Sequence, residues 1–448
     1  MSMTRRTFLR HTLAVGPIAI TFWIESGQAA QGTPECTLPT GATATRFIPN
    51  EPKQLTRYSA AEMADPSRAT QLQQFREAIG LVRNRATNDV IGWTKQIAQH
   101  CLNCTPTNQN NIHYNWQFLP WHRGLLYFLE RILRNLSNHD DLRLIYWDWE
   151  RPNSRSLPQI YASANQPLYW NNRNVTGPNW PLSDDDVDVQ PLLAVPSFSV
   201  FGGTATQRQP VPASFSGPHA NVHNNFSPGS MADLRFSPRD PVFYAHHANI
   251  DRLWSSWVQA GHSSPNFGNA RAYFYDENRQ WRYVLLNDLR DEAKLGYKYS
   301  SVMQPVTPIN NLRSVAFKRT GSRFTISSEG QEIVRKVEGP KYLIIQNIQN
   351  LDKLPADTVR YGIFSRRPER GAQSSAVDGY LGKASRVLSS GHAHTSPLTV
   401  ALNVTGKLGA LVSGNDLSFE LAVAPLDAEG KTTATAIPLV ANNISLIG

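Results

Sequence analysis

Seven of the twelve histidines in this chain fall into two groups that are well separated in the sequence. The first group is His100, His113 and His122, and the second is His219, His223, His246 and His247. Neutral imidazole is the side chain that most commonly binds metal ions in proteins. The grouping therefore predicts a metal centre built from two sets of histidines.

The spacing within the second group supports this prediction. His219 and His223 are four residues apart, which places both imidazoles on one face of a helix. His246 and His247 lie inside the apolar stretch 242–250, where burying two unpaired imidazoles is unfavourable. Binding to a metal removes that penalty for one of them. A single pair of histidines at this spacing is weak support, so the prediction rests on both groups together.

The ligand types narrow the choice of metal. Three neutral imidazoles without a carboxylate or thiolate suit copper or zinc, and two such trios that face each other suit a pair of copper ions. A mononuclear zinc hydrolase that uses His219, His223 and one further ligand is the alternative, but it leaves the first group unexplained. Asp251, one turn after His247, could orient a ligand imidazole or form an ion pair with Arg252 or Arg239.

Helical periodicity identifies the elements that must hold these histidines. Apolar residues recur at helical spacing over 70–86 and 116–136. A third helix is predicted to begin at Asp240-Pro241, because Asp can cap a helix and Pro is tolerated at its first position. The stretch 151–218 is rich in Pro and Asn and shows little periodicity, so we expect long loops on a helical core.

After about residue 303 the pattern changes to alternating apolar segments separated by turn residues, as in 342–346 and 398–404. These segments predict an all-β sandwich at 317–448, joined by a linker at 304–316 to a mainly α domain at 31–303.

The chain begins with a twin-arginine pattern, Arg5-Arg6, followed by a short apolar run from Leu13 to Ile24. This pattern predicts an export signal at residues 1–30 and a periplasmic or secreted protein. Its removal takes away three arginines and Glu25, so the formal charge falls from +9 to +7. No Lys/Arg block with interleaved aromatics indicates a nucleic-acid partner. No later segment is long and apolar enough to predict a membrane span.

Several segments resemble the tyrosinase and catechol oxidase family of type 3 copper proteins, in its plant-like polyphenol oxidase branch. They are 100–104, 112–123, 144–149, 239–254 and the C-terminal β region. The resemblance implies a four-helix bundle around two copper ions, oxidation of phenols to quinones with O₂, and a C-terminal domain that shields the site until it is removed. A haemocyanin-like O₂ carrier is the non-enzymatic alternative, and the export signal argues against it.

The resemblance also implies six copper ligands by position: His100, His113 and His122 for the first ion, and His219, His223 and His247 for the second. His246 is then a neighbour, and Cys104 forms a thioether with His113. Cys36 and Cys101, the other two of the three cysteines, are left to pair as a disulfide. A copper chaperone is a further partner to consider.

Four residues are expected at the substrate entrance: Leu234, Phe243, Ala220 and Asn224. Leu234 could equally belong to the core. The family tends to place a Glu shortly before the first histidine of the second copper, yet no acidic residue lies between Asp188 and His219. Removing a proton from a phenol with a pKa of about 10 usually needs such a group. We therefore expect oxidation of diphenols or aminophenols, with weaker hydroxylation of monophenols.

Two further segments are similar to parts of latent plant enzymes. Tyr297-Lys-Tyr299 resembles the tyrosine motif that closes the catalytic domain, so the shielding domain would follow it. His392 and His394 fall where the latent enzymes have a histidine-containing loop, and are either surface residues or transient copper carriers.

Overall fold

Four longer helices form the centre of the chain. The computed structural model describes residues 36–38, 43–104, 111–176, 180–205, 211–320, 323–327, 331–332, 338–387, 396–407 and 418–448. The longer helices are α2 (Ala69–Arg83), α3 (Trp93–Cys101), α4 (Phe118–Ser137) and α10 (Val242–Gln259), and the shorter ones are α1 (Ala60–Met63), α5 (Gln159–Ala162), α6 (Asp184–Val187), α7 (Gln190–Leu193), α8 (Phe198–Phe201) and α9 (Ala220–Asn225). The three helices predicted from periodicity are confirmed as α2, α4 and α10.

The start of α10 follows from local chemistry. The Asp240 carboxylate accepts a hydrogen bond from the Val242 N–H at 2.9 Å, but Pro241 and not Asp240 occupies the N-cap position, so the helix begins one residue later than predicted, at Val242. The same carboxylate forms a buried ion pair with Arg173 at 2.5 Å, which ties the helix start to the preceding loops. Those loops, predicted as irregular, contain the short helices α5 to α8.

Two small sheets accompany the helices. Strands β1 (Thr45–Arg46), β3 (Arg271–Tyr275) and β4 (Trp281–Leu285) form one sheet in the order β1-β4-β3, and β2 (Leu55–Arg57) pairs in parallel with β5 (Tyr297–Tyr299). Phe274 on the inner face of β3 contacts Trp121 and Phe128 of α4, with ring centroids 5.5 and 4.9 Å apart. The sheet therefore packs directly on the helix that holds His122.

The C-terminal region consists of two larger sheets, as predicted. The strands are β6 (Ser314–Thr320), β7 (Arg323–Ile326), β8 (Tyr342–Ile348), β9 (Arg360–Phe364), β10 (Tyr380–Ser385), β11 (Leu398–Asn403), β12 (Ser418–Glu420), β13 (Ala422–Leu426), β14 (Ile437–Pro438) and β15 (Asn443–Ile447). One sheet has the order β11-β8-β15-β6-β7-β12 and the other β10-β9-β13-β14. Apolar side chains from both sheets join the core of the helical region, so the two parts pack against each other. Strand β6 begins at Ser314, inside the segment 304–316 that was expected to be a linker. The limits of the two domains, 31–303 and 317–448, remain a prediction.

Two further features follow from the sequence. Cys36 and Cys101 form a disulfide, which fastens the N-terminal segment to α3. Within the described residues, none of the helices has the length and hydropathy that crossing a membrane requires. The predicted signal at 1–30 and His392 and His394 lie outside the described residues.

Candidate metal centre

The first group of histidines comes together as a buried trio, called the first trio here. His100 lies on α3, His113 in a short 3₁₀ turn at Ile112–Tyr114, and His122 on α4. The ring centroids are 5.0 Å apart for His100 and His113, 5.4 Å for His100 and His122, and 5.2 Å for His113 and His122.

The second trio is His219, His223 and His247. His219 ends a π-helical turn at Phe215–His219, His223 lies on α9, and His247 lies on α10. The ring centroids are separated by 4.6 Å between His219 and His223, 5.1 Å between His219 and His247, and 5.6 Å between His223 and His247.

The two trios meet in one buried space. The rings of His122 and His247 stack with centroids 4.2 Å apart and planes inclined by 9°. The ring of His100 lies 6.3 Å from that of His247. Two metal ions bound by these trios would therefore be neighbours.

Hydrogen bonds to backbone carbonyls orient two of these rings, those of His122 and His223. The Nδ1 of His122 donates to the Phe118 carbonyl at 2.7 Å, and the Nδ1 of His223 donates to the Met231 carbonyl at 2.6 Å. The Nε2 atoms of both rings are buried and have no hydrogen-bond partner among the described residues. A carbonyl that accepts from one nitrogen fixes the tautomer that leaves the other free to bind a metal.

Burial keeps these imidazoles neutral. Desolvation lowers the pKa of His122 to about 3 and that of His223 to about 4. Desolvation and then the neighbouring imidazoles hold the pKa values of His100, His219 and His247 well below the ordinary value. Neutral imidazole is the form that binds metal ions, so these five imidazoles are in the ligand state at neutral pH.

His246 also lies against the second trio. One ligand-type atom from each of His219, His223, His246 and His247 falls within 4.8 Å of the others. However, Trp149 Nε1 lies 3.1 Å from His246 Nδ1. Indole N–H can only donate, so His246 Nδ1 accepts and the ring proton resides on Nε2. A protonated nitrogen cannot bind a metal, which favours His247 as the ligand.

Cys104 lies beside the first trio with its sulfur buried and outside any disulfide. Its Sγ atom is 3.2 Å from His100 Nδ1 and 4.0 Å from His113 Nε2. The sulfur therefore lies within reach of the predicted thioether partner, although it is nearer to His100.

The four residues expected at the entrance differ in their positions. Phe243 lies between the trios, with its ring 4.9 Å from His100 and 4.3 Å from His247. Leu234 and Ala220 are fully buried. Asn224 is buried too, and its side chain donates to the Arg386 carbonyl of the C-terminal region at 2.7 Å.

The sequence analysis missed two aromatic side chains at the site. The Phe118 ring lies 4.8 Å from His219 and 5.0 Å from His122. The Phe215 ring lies 4.6 Å from His219 and 5.7 Å from His113. Phe118 precedes His122 by one helical turn, and this spacing could have identified it. No comparable signal existed for Phe215, which lies in the region read as loop.

The two roles considered for Asp251 were wrong. Its carboxylate accepts hydrogen bonds from four side chains: Arg123 Nε (2.5 Å), Arg57 Nη1 (3.3 Å), Tyr297 Oη (2.6 Å) and Tyr299 Oη (2.5 Å). It therefore contacts neither a ligand imidazole nor Arg239 or Arg252, and Arg252 pairs with Glu150 at 2.8 Å. Asp251 instead anchors α10 to β2 and β5, one turn beyond His247.

The chain is similar to the tyrosinase domain and to plant polyphenol oxidases. The model for the common central domain of tyrosinase matches residues 91–191 and 162–260. A (+)-larreatricin hydroxylase of Larrea tridentata is 29% identical over 305 residues, which cover 58% of this chain and 51% of that protein. Polyphenol oxidase A1 of Vicia faba is 30% identical over 304 residues, covering 58% of this chain and 49% of that protein. The chain thus spans about half the length of these curated relatives.

Two solved structures share the fold over nearly the whole chain. Latent apple tyrosinase has a TM-score of 0.65 at 21% identity, covering 91% of this chain and 100% of its own. A latent aurone synthase has a TM-score of 0.68 at 23% identity, covering 93% of this chain and 95% of its own. The likeness extends over both the helical region and the C-terminal sheets.

Proposed function

We propose that the chain is a member of the tyrosinase and polyphenol oxidase family, that it holds two copper ions, and that it uses O₂ to oxidise o-diphenols to o-quinones. The observation that supports this most strongly is the contact between the trios, with His122 and His247 stacked 4.2 Å apart. Two metals bound by trios in direct contact would lie close enough to act on one O₂ molecule.

The proposed ligands follow the two trios: His100, His113 and His122 for the first ion, and His219, His223 and His247 for the second. The buried, unpartnered Nε2 atoms of His122 and His223 fit copper, because an imidazole set without carboxylates suits that metal. When bound, copper supplies the redox chemistry, in which two catechols and one O₂ give two quinones and two waters.

The side chains of the protein bind and orient the substrate. Phe118, Phe215 and Phe243 present apolar ring edges and faces around the trios, and a flat phenol ring packs well against such aromatic groups. These rings also exclude water from the neutral imidazoles. We propose that Phe243, which contacts both trios, determines how deeply a substrate ring can enter.

We propose a preference for diphenols and o-aminophenols over monophenols. The segment 211–218 before His219 has no acidic side chain. Ala220, buried beside His219, offers no hydrogen bond to a water that could accept the phenolic proton. A catechol loses its protons more readily than a monophenol at such a site, since its two oxygens can both approach the metals.

Contacts between the C-terminal sheets and the segment that holds His219 and His223 support a latent state. Backbone hydrogen bonds join Val211 to Pro397 and Thr399 at 2.8 and 2.9 Å, and Asn224 donates to the Arg386 carbonyl. Both contacts lie on the segment that holds His219 and His223. We propose that residues 317–448 cover the entrance and that cleavage within 304–316 uncovers it.

Three finer points belong to the same proposal. Residues 1–30 direct export by the twin-arginine route, which transports folded and metal-loaded proteins to the periplasm or beyond the cell. Cys104 would form a thioether with His113 in the presence of copper, with the thiol hydrogen and one ring carbon hydrogen lost in a two-electron oxidation by O₂. A copper chaperone supplies the metal.

The experiment that tests this function measures oxygen uptake with catechol, o-aminophenol and tyrosine, using copper-loaded protein before and after protease treatment. We expect oxygen uptake to be much faster with catechol and o-aminophenol than with tyrosine. With each substrate, uptake should be faster after cleavage than before it. Reversible O₂ binding without catechol turnover would instead favour an oxygen carrier. One zinc ion per chain and no oxygen uptake would overturn the proposal.

A further inference from the structure

The segment that contains two ligands of the proposed second metal is held at both ends by the C-terminal region. We call residues 211–225 the second-metal segment, because it includes His219 and His223. Its contacts with the C-terminal strands are hydrogen bonds between buried groups, and they fall on either side of the two histidines.

At its start, the second-metal segment extends the edge of the larger C-terminal sheet. The Val211 N–H donates to the Pro397 carbonyl at 2.8 Å, and the Thr399 N–H donates to the Val211 carbonyl at 2.9 Å. These bonds form a parallel bridge between Val211 and Leu398. The Ser216 hydroxyl then donates to the Thr399 carbonyl.

At its end, the contact is made by Arg360 of β9. The Arg360 Nη2 atom donates to the Asn224 carbonyl at 2.7 Å, and the Asn224 side chain donates to the Arg386 carbonyl at 2.7 Å. Asn224 follows His223 directly, and its carbonyl lies in the last turn of α9. The Arg360 guanidinium adds a second hydrogen bond to this carbonyl, which also accepts from the Ser227 N–H at 3.0 Å, and its positive charge opposes the negative end of the helix.

The second-metal segment has little stability of its own. Its first part is a π-helical turn that contains Pro218, with Gly217 in a non-helical conformation at φ −91° and ψ −127°. Its second part, α9, has six residues, and helices shorter than about 12 residues are marginal without packing. Two members of the first trio differ, because His122 lies on α4, which has 20 residues, and His100 lies on α3, which is fastened by the Cys36–Cys101 disulfide.

We propose that Arg360 is a positioning residue, through which the C-terminal domain holds α9 and thereby the second metal. The inference rests on the proposed dicopper site and deepens it. The domain then has two effects: it covers the entrance, and it keeps His219 and His223 in place. Removal of the domain would expose the site and also weaken retention of the second ion.

The test compares Arg360→Ala with Asn403→Ala in the full chain. Asn403 donates to Asp188 at 3.0 Å across the same interface without contacting the second-metal segment, so it is the matched control. Amide hydrogen exchange over residues 219–226 is measured in the metal-free protein. Loss of copper to a chelator is measured in the loaded protein.

Arg360→Ala should speed exchange at 219–226 and release one of the two coppers about tenfold faster or more, in the range typical for outer contacts of metal ligands. Arg360→Lys should restore part of the protection, and Asn403→Ala should behave as the parent. Equal exchange and equal copper loss in Arg360→Ala and the parent would overturn the inference.

Two further measurements distinguish misfolding of the variant from failure of the proposed dicopper site. If Arg360→Ala does not fold, Ser216→Ala removes the side-chain hydrogen bond to Thr399 at the other end of the second-metal segment, and it should speed exchange in the same direction. If the parent protein binds only one copper, the proposed function fails. The exchange result in the metal-free protein still decides whether Arg360 holds α9.

Discussion

The imidazoles of His122 and His247 lie face to face, with ring centroids 4.2 Å apart and an interplanar angle of 9°. They come from α4 and α10, whose histidines are separated by more than a hundred residues in the sequence. Each ring belongs to a different trio. This contact joins the two proposed copper sites into one centre.

Replacing His247 and His246 separately tests which one binds metal. Because Trp149 donates to His246 Nδ1, we expect His247→Ala to retain one copper per chain and His246→Ala to retain two. Copper is quantified after gel filtration, with folding checked by circular dichroism. Two coppers in His247→Ala, or one in His246→Ala, would reverse the assignment.

The thioether can be detected by mass. Cys104 Sγ lies 4.0 Å from His113 Nε2, so a modest movement of either side chain brings the sulfur to the ring. After exposure to copper and air, the reduced, metal-free protein should weigh two hydrogens less than its sequence predicts. Cys104→Ser should show no such loss. Peptide mapping should place the link on His113, and a link to His100 would contradict the assignment.

The buried charges around Asp251 should be important for stability. Asp251→Asn leaves the fully buried Arg57 and Arg123 with one counterion fewer, which we expect to lower the free energy of unfolding by about 3 kcal/mol or more. Urea unfolding measures the change. The exposed pair of Arg366 and Asp378 supplies the control, because Asp378→Asn should change stability by about 0.5 kcal/mol or less. Similar values for both variants would show that the Asp251 network contributes little.

Acid should destabilise the metal-free protein through its buried histidines. The pKa of His223 is about 4 in the folded chain and about 6.5 when unfolded, so unfolding takes up a proton between these values. Stability is therefore fully present above about pH 6.5 and decreases as the pH falls toward 4, by about 3 kcal/mol for this group alone.

Urea unfolding of chelator-treated protein at several pH values measures this dependence. The slope of stability against pH should be smaller by about one proton in His223→Asn than in the parent. Identical slopes would mean that His223 does not titrate as a buried neutral group.

The parts of the site that depend on local sequence were predictable. The helical spacing of His219 and His223, and the apolar surroundings of His246 and His247, are sufficient to indicate a buried metal site from the sequence alone. Helices α2, α4 and α10 followed from periodicity for the same reason: each buries an apolar face that repeats every three to four residues.

The remaining features depend on contacts between distant parts of the chain. Asp251 is 194 residues from Arg57 and 46 from Tyr297, and no pattern near Asp251 identifies those partners. Asn224 was expected at an entrance, but Arg360, 136 residues later, binds its carbonyl. Such pairings are determined by how the C-terminal sheets dock on the helices, which the order of residue types does not specify.

The most direct test of the account is copper quantification combined with electron paramagnetic resonance on the oxidised protein. Two Cu(II) ions bound by trios that contact each other through His122 and His247 should pair their electron spins. We therefore predict two coppers per chain with almost no resonance signal. One copper per chain, or two that give the full signal of isolated Cu(II), would contradict a shared centre.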